Sequence, residues 1–205
     1  MDPSLWLALL GAQTLISFVP GAGAVNTMSN ALTVGFRRTV WGVLGQQAAL
    51  LVHIAIAAAG VGILVSNSPL AFDLIRYAGA AYLVYLGIRK FLQRPEHSDI
   101  RALQTDESAL SMVRRGIWVN LLNPKAIVFF LALIPQFISP DRPLLAQYGV
   151  LTATVIGIDF LVMWFFYGGT ARSFRRFTQH DRGQVILNRI FGSLFVGVGA
   201  LLALA

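Results

Sequence analysis

Asp159 and Lys125 each lie inside a long apolar stretch of the sequence, Leu144–Ala171 and Gly116–Ile138. A charge at the centre of a membrane helix costs at least ~2.5–3.5 kcal/mol on insertion scales, so such a residue faces an interior and serves a purpose. A midplane aspartate can carry a proton or bind an ammonium group. A lysine can clamp a carboxylate or neutralise the aspartate. The blander readings are a buried structural pair, or a lysine that snorkels toward the nearer face. Asn123, Gln46 and Gln47 are further polar side chains in apolar surroundings. His53 is a weaker candidate, because a lone intramembrane histidine can simply hydrogen-bond a neighbouring helix. Phe129, Phe130, Trp164, Phe165, Phe166 and Tyr167 are assigned to packing or to lipid rather than to a substrate cage. There is no His-Glu-x-x-His metal pair and no Gly-x-Ser-x-Gly nucleophile setting. The expectation is therefore no enzyme, no metal and no cofactor.

Two of the apolar stretches contain helix breakers, Pro20-Gly21-Ala22-Gly23 and Asn123-Pro124-Lys125. Proline inside a helix removes a donor and clashes with the carbonyl four residues earlier. In lipid the freed backbone groups must find partners, so such breaks survive only against protein or a wet cavity. A helix restarting at Ala22–Val25 or at Lys125–Val128 presents N–H groups that attract an anion such as an amino acid's carboxylate. A packing kink explains one break; two at similar depth favour a binding site. With a rise of 1.5 Å per residue, Asn123 to Lys125 lie about 12–15 Å into the bilayer, Gln46 and Gln47 about 10–12 Å, and Asp159 about 18 Å. These residues converge near the midplane.

Composition dictates the solvent in which these elements sit. Of 205 residues, 56% are hydrophobic and 12% charged, against roughly 25% charged in soluble domains. Cysteine is absent, which removes disulfides, thiolate metal sites and thiol redox chemistry. A helix of about 20 apolar residues spans the hydrocarbon, and about six segments qualify: Leu5–Val34, Val40–Val65, Leu70–Phe91, Gly116–Ile138, Leu144–Ala171 and Val185–Ala205. No run of short alternating segments suggests a barrel. The expected class is all-α, a polytopic membrane protein.

The net charge of +7 would suggest nucleic acid in a soluble chain. Here all of the 16 Lys and Arg residues except Arg76, Lys125 and Arg142 fall in alternate loops or their flanks. That asymmetry places both termini outside, in the periplasm, and excludes a nucleic-acid partner. The polar stretch Gln93–Val113 reads as a cytoplasmic linker between a first unit, residues 1–92, and a second, residues 114–205. Arg76-Tyr-Ala-Gly79-Ala-Ala-Tyr82-Leu resembles Arg189-Ile-Phe-Gly192-Ser-Leu-Phe195-Val. Three helices per half reverse the entry side, so the halves form a 3+3 inverted repeat with broken helices 1 and 4. Small residues facing lipid would permit a homodimer.

Several stretches together resemble a known family: Pro20-Gly-Ala-Gly-Ala-Val-Asn26-Thr-Met28, Gly79-Ala-Ala-Tyr82-Leu-Val-Tyr-Leu-Gly87, Val119-Asn120-Leu-Leu-Asn123-Pro124-Lys125, Phe137 in Pro135-Gln136-Phe137, Asp159, and Phe191-Gly192-Ser-Leu-Phe195. They span nearly the whole chain. The sequence resembles the lysine-exporter superfamily and, within it, the homoserine/threonine resistance branch of RhtB type. Many members have Pro-Gly-Pro in the first helix, where this chain has Ala22. The resemblance implies efflux of homoserine, homoserine lactone, threonine or similar compounds across a bacterial inner membrane, driven by the proton gradient. The expected site is Pro20, Gly21, Gly23, Asn26, Gln46, Gln47, Asn123, Pro124 and Lys125 for substrate, with Asp159 for proton coupling. Composition and spacing alone reach only a small-solute transporter. The alternatives are a channel-like pore and a non-transporting membrane scaffold.

Overall fold

A computed structural model describes residues 1–67, 69–92, 107–139, 141–178 and 180–204, and every regular element among them is helical. The broken first helix consists of α1 (Pro3–Phe18) and α2 (Ala22–Thr33), bent by 55° at the break. Two long helices follow, α3 (Val40–Asn67) and α4 (Pro69–Leu92). Next come α5 (Ala109–Leu121) and α6 (Pro124–Leu133), which tightens into a 3-10 turn at Ile134–Phe137. Then α7 (Leu144–Leu161) runs through a π-helical segment, Val162–Gly168, into α8 (Gly169–Thr178). The last element is α9 (Asp181–Leu204).

The breaks fall where proline demands them. The carbonyl of Ile16 would bond the N–H of residue 20 in a continuing helix, but Pro20 has none, so α1 stops at Phe18. At the other break, Asn123 caps α6 by accepting from Lys125 N at 3.1 Å, and Pro124 takes the first helical position, where a missing N–H costs nothing.

Among the described residues, Val40–Ala59, Leu144–Phe174 and Asp181–Ala200 are each long and apolar enough to cross a membrane, and the bent α1–α2 pair taken as one span makes a fourth. The expected third and fourth spans do not stand out in the same way. The expected third span, Leu70–Phe91, falls on α4, part of whose side chains lie outside the described residues, and Gly116–Ile138 is divided at Leu122–Asn123 into α5 and α6. Of the expected linker 93–113, Ala109–Val113 are helical and open α5, and residues 93–106 lie outside the described residues.

The distribution of polarity is inverted relative to a soluble protein. Leu145 is 88% exposed and Leu70 78%, whereas Gln13, Gln46 and Gln147 are at most 2% exposed. Lipid solvates the outer leucines, and the polar groups turn inward to find partners. Glycines set the helix contacts. Helix α3 lies against α5 through Gly42, Gly45 and Gly116, and α4 against α9 through Gly87, Gly192 and Gly199. A β-carbon on Gly192 would stand 2.9 Å from the Gly87 carbonyl oxygen, so only hydrogen permits that approach.

Candidate functional site

The α1 break releases carbonyls, and two side chains from the second half of the chain take them. The Lys125 ammonium donates to Ile16 O at 3.0 Å and to Val19 O at 2.7 Å. The Tyr167 hydroxyl donates to Phe18 O at 2.7 Å. Tyr167 is fully buried and sits in the π-helical segment, whose wider turn resets which residues of this span face inward. Lys125 thus neutralises the C-terminal end of α1 while its charge stays beside the break.

Asp159 is buried at the end of α7 and held from two sides. Gln47 Nε2 donates to one carboxylate oxygen at 2.9 Å, and Ser17 Oγ to the other at 3.3 Å. Gln13 Nε2 in turn donates to Ser17 Oγ at 2.9 Å, one helical turn away along α1. Gln46 turns the other way, donating to Gly23 O at 3.2 Å and Thr27 Oγ1 at 3.0 Å, which docks α2 on α3. The Asn123 amide donates to Asn120 Oδ1 at 3.3 Å, and the Asn120 amide to Gln46 O at 3.1 Å, linking the second break to α3. His53 Nε2 lies 3.2 Å from the Asn120 carbonyl; a carbonyl only accepts, so this nitrogen carries the proton. Its ring stacks on Phe130 at 6.0 Å, and among the described residues it has no second polar partner.

These groups surround one narrow, partly open cavity. Its walls include Gln13, Ser17, Gly23, Gln46, Asn120, Asn123, Lys125 and Asp159, with Leu50, Phe129, Phe130 and Met163 as the apolar part. Lys125 and Asp159 therefore share one cavity, but the ammonium bonds α1 carbonyls rather than the carboxylate. Both helix restarts open on the same space, through Gly23 and Ala24 of α2 and Lys125 and Ala126 of α6. Gly21 offers α2 no capping side chain, so its first-turn N–H groups keep their affinity for an anion.

Of the residues singled out from sequence, Gly23, Gln46, Asn123, Lys125 and Asp159 line the cavity; Pro20, Gly21, Asn26, Gln47 and Pro124 do not. Gln47 stands behind Asp159. Gly21 faces the other break, where an added β-carbon would meet Lys125 Cε at 3.3 Å and Asn123 Nδ2 at 3.5 Å. Asn26 is buried with Nδ2 unpartnered, away from the cavity walls. Phe129 and Phe130 are buried packing aromatics, as assigned, and also form part of the cavity wall, while Phe165 and Phe166 are exposed. Gln13 and Ser17 escaped the sequence reading, and Tyr167, assigned there to packing or lipid, instead hydrogen-bonds the α1 break. The available signal was the pair Gln13 and Ser17, four apart on one face of an apolar helix.

A cavity between two helix breaks, lined by a buried aspartate and a lysine inside an apolar helical chain, is the arrangement of a membrane transporter rather than an enzyme. Comparison with known proteins agrees. Residues 14–205 match the family described as LysE type translocator. Salmonella typhimurium has a protein named homoserine/homoserine lactone efflux protein that is 43% identical over 98% of this chain and 96% of its own length. A Vibrio cholerae protein named uncharacterized membrane protein is 42% identical over 100% of this chain and 99% of its own. A Bacillus subtilis protein, uncharacterized membrane protein YrhP, is 27% identical over 94% of this chain and 95% of its own. No solved structure matches. The chain belongs to the LysE type translocator family.

Proposed function

We propose that this protein is a proton-coupled secondary exporter of small amino acids or close derivatives, of the homoserine, homoserine lactone and threonine class. The carrying observation is the cavity that joins both helix breaks and holds Asp159 and Lys125 in its wall. The efflux name of the Salmonella relative, at 43% identity over nearly the whole chain, supports the substrate class. An amino acid's carboxylate finds the uncapped α2 N-terminus and the Lys125 ammonium. Asp159 exchanges the proton. Alternating access follows from rocking one half against the other around this point, with residues 1–92 and 114–205 as inverted repeats of three spans each. The protein resides in the bacterial inner membrane.

The orientation has both termini in the periplasm and the 93–113 linker in the cytoplasm. Two polar clusters at opposite ends of the broken first span support it. At the start of α1, Asp2 caps the helix through Ser4, whose hydrogen bonds hold its carboxyl below the usual range, and Arg142 approaches at 3.4 Å. Beyond α2, Glu107 gathers Arg115 at 2.7 Å, Ser111 at 2.8 Å and, through its carbonyl, Arg38 at 2.7 Å. Arg115 also bonds Asn30. The second end carries the basic loops, as a cytoplasmic face does. A single cysteine at position 100, in a chain free of cysteine, is expected to resist an impermeant maleimide in intact cells and react after permeabilisation. Labelling in intact cells would reverse the orientation.

Inverted membrane vesicles containing the protein are expected to accumulate labelled homoserine or threonine when acidified inside, and to lose accumulation with an uncoupler. Uptake indifferent to the uncoupler would favour a channel. Uptake equal to empty vesicles for a panel of small amino acids would favour a scaffold.

A further inference from the structure

Gln13 has a buried amide oxygen with no hydrogen-bond partner, although its nitrogen is bonded and the residue is 2% exposed. An unmade hydrogen bond on a buried acceptor is costly, and a native protein keeps one where something absent from the structure completes it. Gln13 lines the cavity, as does Asp159. The amide nitrogen of Gln13 reaches Ser17 Oγ at 2.9 Å, and Ser17 Oγ reaches Asp159 at 3.3 Å, so the free oxygen stands on the same short chain of contacts as the carboxylate. Gln47 holds Asp159 from the far side. The cavity therefore offers, on one wall, one anion and one neutral acceptor still short of a donor.

We infer that Gln13 and Asp159 together seat the ammonium group of the substrate, Gln13 accepting one N–H through Oε1 and Asp159 another while supplying the counter-charge. This rests on the exporter reading and adds to it a residue and a substrate requirement. An ammonium has three donors and no acceptor, which matches a site of acceptors only. The opposite wall has the complementary character. Lys125 has spent two of its three N–H groups on Ile16 and Val19 carbonyls, which leaves one donor, beside the α2 N-terminus, for a carboxylate. The ammonium is thus the group the cavity requires, and the carboxylate the group it tolerates. Among the described residues, the titratable groups facing Asp159 are Lys125 from α6, which has no acceptor, and Tyr167 from the π-helical segment, which donates to Phe18 O and does not line the cavity, so neither takes the place of Gln13.

The test is binding of labelled L-homoserine to purified protein in lipid nanodiscs, with unlabelled competitors. L-homoserine lactone keeps the ammonium and lacks the carboxylate. N-acetyl-L-homoserine and 4-hydroxybutanoate keep the carboxylate and lack the ammonium. The lactone is expected to compete within about tenfold of homoserine, and the other two to fall short by about a hundredfold, as expected when a buried charged partner goes unpaired. Gln13→Met keeps the volume and removes the acceptor; it is expected to weaken homoserine binding about tenfold while the protein elutes as wild type. Competition by N-acetyl-L-homoserine equal to homoserine overturns the inference even if no variant folds. So does unchanged affinity in Gln13→Met, which would leave the Gln13 oxygen to a water. If homoserine and its lactone do not bind at all, the exporter reading fails for this substrate class and the ammonium seat fails with it.

Discussion

Asp159→Asn abolishes proton-driven accumulation of substrate, to the level of empty vesicles, while leaving the protein folded and in the membrane. Both parts follow from the geometry. The asparagine keeps the size of the side chain and removes the titrating group, so no proton can be exchanged at this position. Its carbonyl oxygen still accepts from Ser17, and its new N–H₂ meets Gln47, whose own Oε1 is buried and unpartnered. Rotation of the Gln47 amide then restores a bond that the substitution would otherwise break. The check pairs vesicle uptake driven by a pH gradient with quantification of the protein in the same membranes. A second readout separates two roles of the carboxylate. If Asp159 served the proton alone, exchange of substrate for substrate would survive in Asp159→Asn, because exchange moves no net proton. With the ammonium also seated there, exchange falls as well. Accumulation against a gradient by Asp159→Asn would remove Asp159 from the coupling role and leave it a structural group.

Gly116→Ala gives, with Gly45→Ala, the largest loss of stability expected from a single added methyl group among the described glycines. A β-carbon at Gly116 would be driven into the Gly42 carbonyl oxygen on α3, and one at Gly45 into the Val113 carbonyl on α5. The obstacle is backbone in both cases, so no rotamer change relieves it and the two helices must separate. Overpacking of this kind costs typically about 1–3 kcal/mol and occasionally more. Separation of α3 from α5 also disturbs the Asn120 amide bond to Gln46 O, so transport falls with stability. Gly149→Ala and Gly157→Ala are the controls. Both lie in α7 with nothing within 4 Å of the added atom, and each is expected to be neutral or to stabilise by about 0.5–1 kcal/mol, since alanine outranks glycine in a helix. Thermal unfolding in detergent, followed by loss of monodisperse protein, reads all three. Gly116→Ala as stable as Gly149→Ala would mean that the α3–α5 contact is looser than described.

The sequence by itself determined what is local. Apolar runs specify helices in lipid because unpaired backbone polar groups cannot be left in hydrocarbon. Pro20 and Pro124 set the two breaks, because a missing N–H is a covalent fact that no packing reverses. Isolated polar residues in those runs marked Gln46, Asn123, Lys125 and Asp159 as interior, since each would be costly in lipid. The tertiary structure decided which of them meet. Gln46 and Gln47 are adjacent in sequence, yet they point to different helices, one to α2 and one to Asp159. Lys125 bonds α1 carbonyls rather than the aspartate, because the proline break frees those acceptors within its reach. Gln13 and Tyr167 became part of the site only through the crossing of α1 with α7 and the π-helical turn that follows it. Phe129 and Phe130 became cavity wall through the packing of α6 against α3 and α4. In a chain where nearly every helix face is apolar, periodicity cannot say which face turns inward. That choice is made by close glycine contacts and polar pairing between segments far apart in the sequence, and only the assembled structure contains them.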